Sequence, residues 1–311
     1  MVMNETPLVY ITMPCYNGEK YLLDQLMSIY YQNYTNRYLI FINDGSTDNS
    51  EQIIRDWISH YNLYNKVRVI TKENGGVMSA VQKWLEEVKK MCDINNTNCL
   101  IAHCDSDDIR TREKLSVQVK YMVEHPECWM SYHDMIWIDI NWILTIPSYV
   151  WVNFYHEETF LYMSTIWNHY TWPELMFKAN YIDKILPMPL SRQMAQDLWT
   201  ALVLWILGIQ IHYINKKLIY HRMHQWSWQR TFERQKKIEQ NKIIMEYFFS
   251  LKRRFPDKDI EYIISYNNDR LIKWCDYSLL HVWILVLLKY PKIFRMRVKK
   301  QIWQIYLYIN P

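Results

Sequence analysis

Apolar and polar positions alternate in blocks through the first third of the chain. Four short apolar runs, each the length of one buried strand, lie at residues 8–13, 38–42, 67–70 and 99–103. Three longer stretches between them carry apolar residues at helical spacing, at residues 19–32, 49–60 and 77–92. Strands that alternate with helices of this length predict a parallel sheet with right-handed crossovers. The pattern therefore predicts an α/β fold.

A polar or glycine-rich turn follows each predicted strand. These turns are residues 14–18, 43–48, 72–76 and 105–108, and four of the five glycines of the chain fall in the first three of them. Glycine is needed where the backbone takes positive φ or where a ligand approaches closely. The carboxyl ends of parallel strands lie at one edge of a sheet, where α/β proteins bind their ligands. The turns therefore predict a nucleotide cleft at that edge.

The second half of the chain departs from this rhythm. Its pattern predicts a helix at 112–124, extended segments at 129–146 and 149–155, helices at 172–185 and 191–207, edge strands at 209–214 and 217–221, and a long charged helix at 231–255. These segments show no clear strand–helix alternation and no internal repeat. We therefore do not expect them to extend the parallel series of strands.

Composition narrows the class of protein. The 311 residues can form one large or two modest domains, and the 50% hydrophobic and 22% charged content is typical of a folded globular protein. A net charge of +4 is too small to indicate nucleic-acid binding. The six cysteines show neither a CxxC pair nor metal-ligand spacing, which predicts reduced thiols in a cytoplasmic protein. We expect no signal peptide, because residues 1–8 do not show a basic segment followed by an apolar one. We expect no transmembrane helix, because no window reaches about 18 uninterrupted apolar residues.

Three carboxylates, Asp105, Asp107 and Asp108, crowd the end of the fourth predicted strand. Packed carboxylates repel one another unless a positive charge neutralises them, and a hard divalent cation that also holds phosphate is the usual partner. This stretch predicts a metal-dependent site for a nucleoside diphosphate. The alternative is an acidic loop that caps the helix beginning near Arg112. No GxGxxG follows the first strand and no GxxxxGK[ST] occurs, which argues against a dinucleotide or P-loop site.

Four motifs in this order resemble those of the GT-A, family 2 glycosyltransferases. They are Pro14-Cys15-Tyr16-Asn17-Gly18-Glu19, Asn43-Asp44-Gly45-Ser46-Thr47-Asp48, Asn74-Gly75-Gly76 and Asp105-Ser106-Asp107-Asp108. The resemblance is close over residues 7–125 and looser as far as residue 228. It implies a GT-A domain over residues 1–228, with a nucleotide-binding half at 1–125 and an acceptor-binding half at 126–228. Residues 229–311 are then a C-terminal helical extension.

The same resemblance implies an activity. It is the inverting transfer of a sugar from a nucleotide-diphosphate donor, with UDP the expected nucleotide, helped by Mn²⁺ or Mg²⁺. The acceptor would be a growing polysaccharide, lipopolysaccharide or capsular glycan, or a lipid-linked saccharide. Two residue changes leave the donor sugar open, because Arg110 stands where the family often has Trp and Ala80-Val81-Gln82 replaces a more usual Ala-Arg-Asn.

The resemblance also implies roles for residues of all four turns. Pro14, Tyr16 and Glu19 would line the nucleoside pocket, Asp44 would accept hydrogen bonds from the base, and Lys72 and Gly75 would lie near base and ribose. Asp105 would meet the ribose with Ser106 beside it, and Asp107 would coordinate the metal with Asp108 as an additional ligand.

The catalytic base is expected in the second half of the chain. The family commonly has Glu-Asp at the start of a helix there, and this chain has Gln196-Asp197, so Asp197 is the candidate base. The alternative is that Asp197 simply interacts with the helix dipole. The segment Tyr220-His221-Arg222-Met223-His224 resembles a Tyr-Arg-x-His motif, which would place Arg222 near phosphate and His224 near the metal. A structural role for His224 is the alternative.

The C-terminal tail permits two interpretations. Residues 279–288 are strongly apolar but too short to span a bilayer, and residues 289–300 are rich in lysine and arginine. A basic amphipathic helix with aromatic residues can lie in a membrane interface, which would give peripheral contact with the inner face of the membrane. The alternative is a terminal helical pair that packs on the catalytic domain or forms a homodimer.

Two other functions remain open from the sequence. A sugar-nucleotide nucleotidyltransferase also combines an α/β sheet with a metal held by carboxylates, but it usually has a glycine-rich phosphate loop after the first strand. The turn at residues 14–18 has a single glycine. A non-catalytic glycan- or nucleotide-binding subunit is less favoured, because Asp44, Asp105, Asp107 and Asp197 are all present together.

Overall fold

A computed structural model describes residues 6–92, 99–141, 143–146, 175–189 and 207–224, together with residues 196, 199–200, 203–204 and 253–254. The chain divides into two compact units, Met1–Phe232 and Glu233–Pro311. All the strands given below lie in the first unit, and only residues 253–254 of the second unit are described. The division of the chain at residue 228 stays a prediction.

The first half forms the expected parallel sheet. Strands β1 (Leu8–Cys15), β2 (Arg37–Asn43), β3 (Val67–Thr71) and β4 (Cys99–His103) are connected through helices α1 (Glu19–Tyr30), α2 (Ser50–His60) and α3 (Val77–Met91). The strands lie in the order β3-β2-β1-β4, and each neighbouring pair is parallel. The predicted alternation of strands and helices is therefore confirmed, and the carboxyl ends of all four strands lie at one edge.

The second half adds strands of both directions to the same sheet. It contains β5 (Ile109–Arg110), α4 (Lys114–Glu124), β6 (Met130–Ile138), β7 (Leu144–Ile146), β8 (Met176–Lys178), a 3-10 helix at Ala179–Tyr181, α5 (Ile182–Ile185) and β9 (Ile211–Arg222). The sheet continues from β4 in the order β8-β6-β9-β5, and β7 pairs with β6. β8 runs antiparallel to both β4 and β6, whereas β9 runs parallel to β6.

Two sequence predictions for this half are wrong. The stretch 172–185 was expected to be a helix, but Met176–Lys178 is a strand inserted between β4 and β6. Met176 and Phe177 are both fully buried, so cross-strand pairing and packing outweigh the local helical pattern here.

The two expected edge strands are one strand, β9, which pairs with β6 on one side and with β5 on the other. Its exposed centre, Asn215-Lys216-Lys217, coincides with a register irregularity opposite Asp134. From the sequence, this polar stretch suggests a loop between two strands. In the structure it is a local irregularity within one continuous strand. The segment 149–155 lies outside the described residues, as does most of the helices predicted at 191–207 and 231–255.

Both faces of the parallel strands are covered. On one face, Val9, Ile11 and Met13 of β1 belong to the same buried cluster as Leu22 and Leu26 of α1. On the other face α3 covers the sheet, where the ring of Trp84 meets that of His103 at 5.1 Å. Strands that are buried on both sides read as continuous apolar runs, which is why the sequence identified them. The ends of these strands are thereby held rigidly, and they position the turns.

Among the residues that the structure describes, no helix combines the length and the hydrophobicity that a membrane crossing requires. Five of the six cysteines are described, and these five are buried and form no disulfide: Cys15, Cys92, Cys99, Cys104 and Cys128.

Candidate active site

Reciprocal hydrogen bonds join the first two turns. The Asn17 main-chain N–H donates to Ser46 Oγ at 3.0 Å, and the Thr47 main-chain N–H donates to Asn17 Oδ1 at 2.8 Å. The Gly18 main-chain N–H donates to Ser50 Oγ at 2.8 Å. These bonds connect residues about thirty positions apart, and they are possible because β1 and β2 are neighbours in the sheet. The first two turns therefore form one connected surface at the sheet edge.

Glu19 and Tyr16, both predicted to line the nucleoside pocket, have different surroundings. Glu19 Oε2 accepts hydrogen bonds from the main-chain N–H and the side-chain amide of Asn49, each at 2.9 Å. Glu19 thus ties the start of α1 to the start of α2. Tyr16 is 54% exposed, and Pro14 beside it is partly buried. Of these residues, Tyr16 presents the largest open surface for a ligand.

Asp44 shapes the third turn. Its carboxylate, which is almost fully buried, accepts hydrogen bonds from the main-chain N–H groups of Gly75 at 3.1 Å and Gly76 at 2.8 Å. It also forms an ion pair with the Lys72 ammonium group. A carboxylate has about four acceptor positions, so three filled positions leave about one. Gly76 takes a φ of +81°, a conformation that favours glycine.

Gly75 is required for a different reason. A Cβ atom at this position would lie 2.5 Å from Ser79 Oγ and 3.0 Å from Lys72 Nζ. A side chain there would displace Lys72, the residue that neutralises Asp44. The glycine therefore allows the third turn to close on Asp44.

Residues 105–108, which we call the acid loop, form the fourth turn. One carboxylate oxygen from each of Asp105, Asp107 and Asp108 lies within 4.8 Å of the others. The main-chain carbonyl of Asp105 accepts a 2.6 Å hydrogen bond from the buried Gln25 side chain of α1. A Cβ at Gly18 would lie 3.4 Å from Ser106 Oγ, so the first and fourth turns pack closely. Gln25 was not identified from the sequence, because a lone glutamine on a helix carries no motif.

Asp108 anchors the acid loop to β9. It is fully buried and accepts hydrogen bonds from the Arg222 main-chain N–H at 3.0 Å and from His221 Nδ1 at 3.1 Å. Burial opposes the charge of the His221 imidazole, but the carboxylates of Asp108, Asp107 and Asp105 outweigh burial and raise the pKa of His221 to about 9. Two hydrogen-bond partners already occupy Asp108, so Asp105 and Asp107 are the more accessible acids. His221 was also not singled out from the sequence.

Asp107 and His224 meet at the open side of the acid loop. His224 Nε2 lies 2.8 Å from Asp107 Oδ2, although the two residues are 117 positions apart in sequence. The Asp107 side chain is 34% exposed, whereas that of His224 is 10% exposed. The two residues predicted as metal ligands are thus adjacent, and the carboxylate faces solvent.

Arg222 turns toward the protein rather than toward the open edge. It is 2% exposed, and its Nε donates to the main-chain carbonyl of Asp107 at 3.1 Å. The guanidinium therefore holds the acid loop from behind. Asp197, the predicted base, lies outside the described residues, and its neighbour Gln196 is partly buried and helical.

The donor set at the acid loop fits a divalent cation. Carboxylate oxygens are the preferred ligands of Mg²⁺ and Mn²⁺, and an imidazole nitrogen is compatible with transition metals such as Mn²⁺. Asp107 offers an oxygen within 4.8 Å of oxygens of Asp105 and Asp108, and His224 offers a nitrogen next to Asp107. An acidic cluster that fits a metal and three turns that fit a nucleotide therefore share one sheet edge.

Residues 10–186 match the family described as glycosyl transferase family 2. This span is more than half of the chain and includes all four turns. The chain belongs to this family. The resemblance stated from the four motifs is therefore confirmed, and the family match extends through β8 to α5.

One relative and two solved structures illustrate the similarity. An uncharacterized glycosyltransferase of Haemophilus influenzae is 35% identical over 120 residues, which are 38% of this chain and 44% of that protein. The chain thus spans less than half the length of this relative.

The crystal structure of Staphylococcus aureus TarS in complex with UDP-GlcNAc superposes with a TM-score of 0.59 at 17% identity, over 86% of this chain and 71% of that chain. The mannosyltransferase PcManGT from Pyrobaculum calidifontis, in complex with GDP-Man and Mn²⁺, superposes with a TM-score of 0.55 at 13% identity, over 98% of this chain and 87% of that chain. At identities this low, the superpositions show a common fold and no more. The predicted GT-A fold is therefore confirmed.

Proposed function

We propose that this family 2 member transfers a sugar from a nucleotide-diphosphate donor to a saccharide or lipid-linked glycan acceptor, with inversion at the transferred carbon. The observation that carries the proposal is the common position of two features at one sheet edge. These are the turn that Asp44 holds against Gly75 and Gly76, and the pair formed by Asp107 and His224. A nucleoside diphosphate has a base and ribose at one end and two charged phosphates at the other. It therefore carries one chemical group suited to each of the two features.

The donor nucleotide is proposed to be UDP. Both superposed proteins hold nucleotide sugars in their crystals, UDP-GlcNAc in TarS and GDP-Man in PcManGT. In this chain the exposed ring of Tyr16 offers a face on which a base can stack, and Asp44 keeps about one acceptor position for the base. Donor contacts are proposed for Pro14, Tyr16, Glu19, Asp44, Lys72, Gly75, Asp105 and Ser106.

The diphosphate is proposed to lie at the acid loop with Mn²⁺ or Mg²⁺. When bound, such a cation supplies charge neutralisation for the departing diphosphate. Asp107 and His224 would hold it, and Asp105 would face the ribose. The carbonyl contact from Arg222 and the main-chain contact from Gln25 keep the acid loop in place while the donor binds.

Asp197 is proposed to remove the proton from the acceptor hydroxyl. An inverting transfer needs one carboxylate on the acceptor side, because the hydroxyl attacks the sugar carbon from the face opposite the diphosphate. The proton moves from the hydroxyl oxygen to the carboxylate as the bond to the sugar forms and the bond to the diphosphate breaks. Gln196 before it, in place of Glu, leaves the base in position and alters the acceptor contacts.

The C-terminal extension, residues 229–311, is proposed to act outside the reaction. A basic segment at 289–300 can bring a cytoplasmic domain to the inner face of a membrane where a lipid-linked acceptor lies. Sedimentation with anionic vesicles that salt reverses would support this role. A doubled mass in light scattering without vesicle binding would support a homodimer instead.

Calorimetric titration with UDP, dTDP and GDP, each with and without Mn²⁺, tests the proposal. We expect one nucleotide to bind in the presence of Mn²⁺ and to lose affinity when the metal is chelated. Binding of none of them would contradict the nucleotide site built on Asp44. Release of pyrophosphate from a nucleoside triphosphate and a sugar phosphate would favour a nucleotidyltransferase. Metal-dependent binding with neither donor hydrolysis nor transfer would favour a non-catalytic subunit.

A further inference from the structure

Helix α1 contacts the acid loop and β9 through one of its faces. Tyr21, Asp24 and Gln25 lie at the spacing of one helical turn, which places them on the same side of the helix. Gln25 reaches the Asp105 carbonyl directly, whereas Tyr21 and Asp24 reach the end of β9. No sequence motif marks Asp24.

Asp24 binds the guanidinium that holds the acid loop. Asp24 Oδ2 accepts a 3.0 Å hydrogen bond from Arg222 Nη2, while Nε of the same guanidinium donates to the Asp107 carbonyl at 3.1 Å. The ring of Tyr21 lies 4.8 Å from the guanidinium carbon and 5.0 Å from the ring of His224. The carboxylate, the carbonyl and the ring together restrain the orientation of Arg222.

The burial of the two partners is unequal. The Asp24 side chain is 47% exposed, whereas that of Arg222 is 2% exposed. An ion pair contributes little when both partners are exposed, but here the guanidinium is buried and depends on the carboxylate for neutralisation. The same guanidinium contacts the main chain of Asp107, one of the acids proposed to bind a cation. Asp24 is therefore placed to direct the charge of Arg222 at the acid loop.

We propose that Asp24 is a positioning residue for the cation site: it holds the Arg222 guanidinium on the main chain of Asp107 and away from the carboxylates of the acid loop. A guanidinium is a strong bidentate partner for carboxylates. Without Asp24, the guanidinium would lose one restraint and could turn toward the carboxylates of the acid loop, where it would compete with a divalent cation. This inference rests on the function proposed above.

Binding of Mn²⁺ to the full chain, followed by the paramagnetic resonance signal of free Mn²⁺ with and without UDP, tests the proposal without an activity assay. Asp24→Ala is expected to weaken Mn²⁺ binding roughly tenfold, at the lower end of the effect of groups that hold metal ligands in place. Asp24→Glu, which can still reach Arg222, is expected to restore most of the affinity. The thermal unfolding midpoint should fall in Asp24→Ala, because the buried guanidinium loses this partner, and should be largely restored in Asp24→Glu, so Mn²⁺ binding is measured well below both midpoints.

Asp183→Ala is the matched control. Asp183 is 43% exposed and forms an ion pair with Lys89, which is itself 46% exposed, so it resembles Asp24 in its own exposure but pairs with an exposed cation. The Mn²⁺ affinity of Asp183→Ala should equal that of the wild type. If Asp24→Ala does not fold, Asp24→Asn, which keeps a hydrogen-bond acceptor for Arg222 but loses the charge, should weaken Mn²⁺ binding by a smaller factor.

The outcomes separate this inference from the proposed function. If the wild type binds Mn²⁺ and Asp24→Ala binds it with the same affinity, the proposed role of Asp24 is rejected and the proposed function is unaffected. An equal loss in Asp24→Ala and Asp183→Ala also overturns it, because the effect would not be specific to the site. A wild-type chain that binds no Mn²⁺, with or without UDP, overturns the proposed function and this inference together.

Discussion

The carboxylates of the first two turns and those of the acid loop have different partners. Glu19, Asp44 and Asp48 each accept hydrogen bonds from main-chain N–H groups of another turn or helix start. In the acid loop, Asp107 meets the imidazole of His224 and remains 34% exposed. A carboxylate whose acceptor positions are filled by main-chain groups determines the shape of a loop, whereas one with open positions presents charge to a ligand.

Acidic residues at the same sheet edge can therefore have different roles. We interpret the first three turns as a preformed surface for a base and ribose. We interpret the acid loop as the part that meets phosphate and metal. The variants that follow test this division, because the two groups of carboxylates should fail in different ways.

The largest expected effect concerns the acceptor side. Asp197→Asn should lower the rate of sugar transfer by about 10²–10⁴-fold, the usual contribution of a general base, while UDP affinity stays within about twofold of the wild type. Transfer is measured as nucleotide release that depends on an acceptor, and affinity is measured by calorimetry. Loss of UDP binding in this variant would instead identify Asp197 as a structural residue.

Asp107→Asn tests whether the acid loop presents charge. The Mn²⁺-dependent affinity for UDP should fall by at least about tenfold. Loss of a group that only orients a metal ligand already lowers metal affinity by about that factor, and loss of the ligand itself should lower it at least as much. The free energy of unfolding should change by less than about 0.5 kcal/mol, since the side chain is partly exposed. Calorimetry and denaturant unfolding measure the two quantities, and metal-dependent binding like that of the wild type would reject the metal assignment.

Asp44→Asn should show the opposite behaviour. An amide at this buried position would direct an N–H donor at the N–H groups of Gly75 and Gly76 or at the Lys72 ammonium, so we expect a loss of about 1–3 kcal/mol in the free energy of unfolding. UDP binding should fall as well, because the third turn depends on this carboxylate. Asp56→Asn on the exposed surface of α2 is the control. Full stability of Asp44→Asn would break the division between the two groups of acids.

The smallest effect is a pH dependence in the core near the acid loop. Burial, together with the positive charge of Lys114, lowers the pKa of His133 well below its usual value near 6.5. Below about pH 6.5 the unfolded chain therefore binds a proton at His133 that the folded chain does not. As the pH is lowered through this range, His133 should reduce the free energy of unfolding by up to about 1.4 kcal/mol per pH unit. The raised pKa of His221 acts in the opposite sense near pH 6.5, because the folded imidazole keeps a proton that the unfolded one partly loses, and this contribution vanishes at lower pH, where both states are protonated.

His133→Asn isolates this contribution. The variant removes the titrating group, so its unfolding free energy should decline less steeply than that of the wild type between pH 6.5 and pH 5. Urea unfolding at several pH values measures the two slopes. Identical slopes would mean that His133 is protonated in the folded chain.

The first half of the chain, residues 1–125, could be predicted from the sequence for a physical reason. Its strands are buried on both faces and are separated by helices of regular period, so their pattern is local. The turns carry glycines and carboxylates directly after the strands, and parallel pairing places all of them at one edge. Four motifs in order were therefore sufficient to identify the family.

Segments whose structure depends on distant partners were predicted less well. Met176–Lys178 is a strand because it fills the space between β4 and β6, and β9 is continuous because β6 and β5 pair with it on its two sides. Such pairings involve residues far apart in sequence. A periodicity confined to one segment does not report them.

The sequence by itself determined the α/β class, the parallel order of βα units, the four turns and the acids and glycines within them. Only the tertiary structure decided which of these acids already have partners. It joined Asp44 to Gly75 and Gly76, Asp108 to His221, and Asp107 to His224. A sequence motif shows which side chains follow a strand. It does not show their hydrogen-bond partners, because those partners come from segments far apart in the sequence. Asp24 and Gln25, which carry no motif at all, became visible only through those contacts.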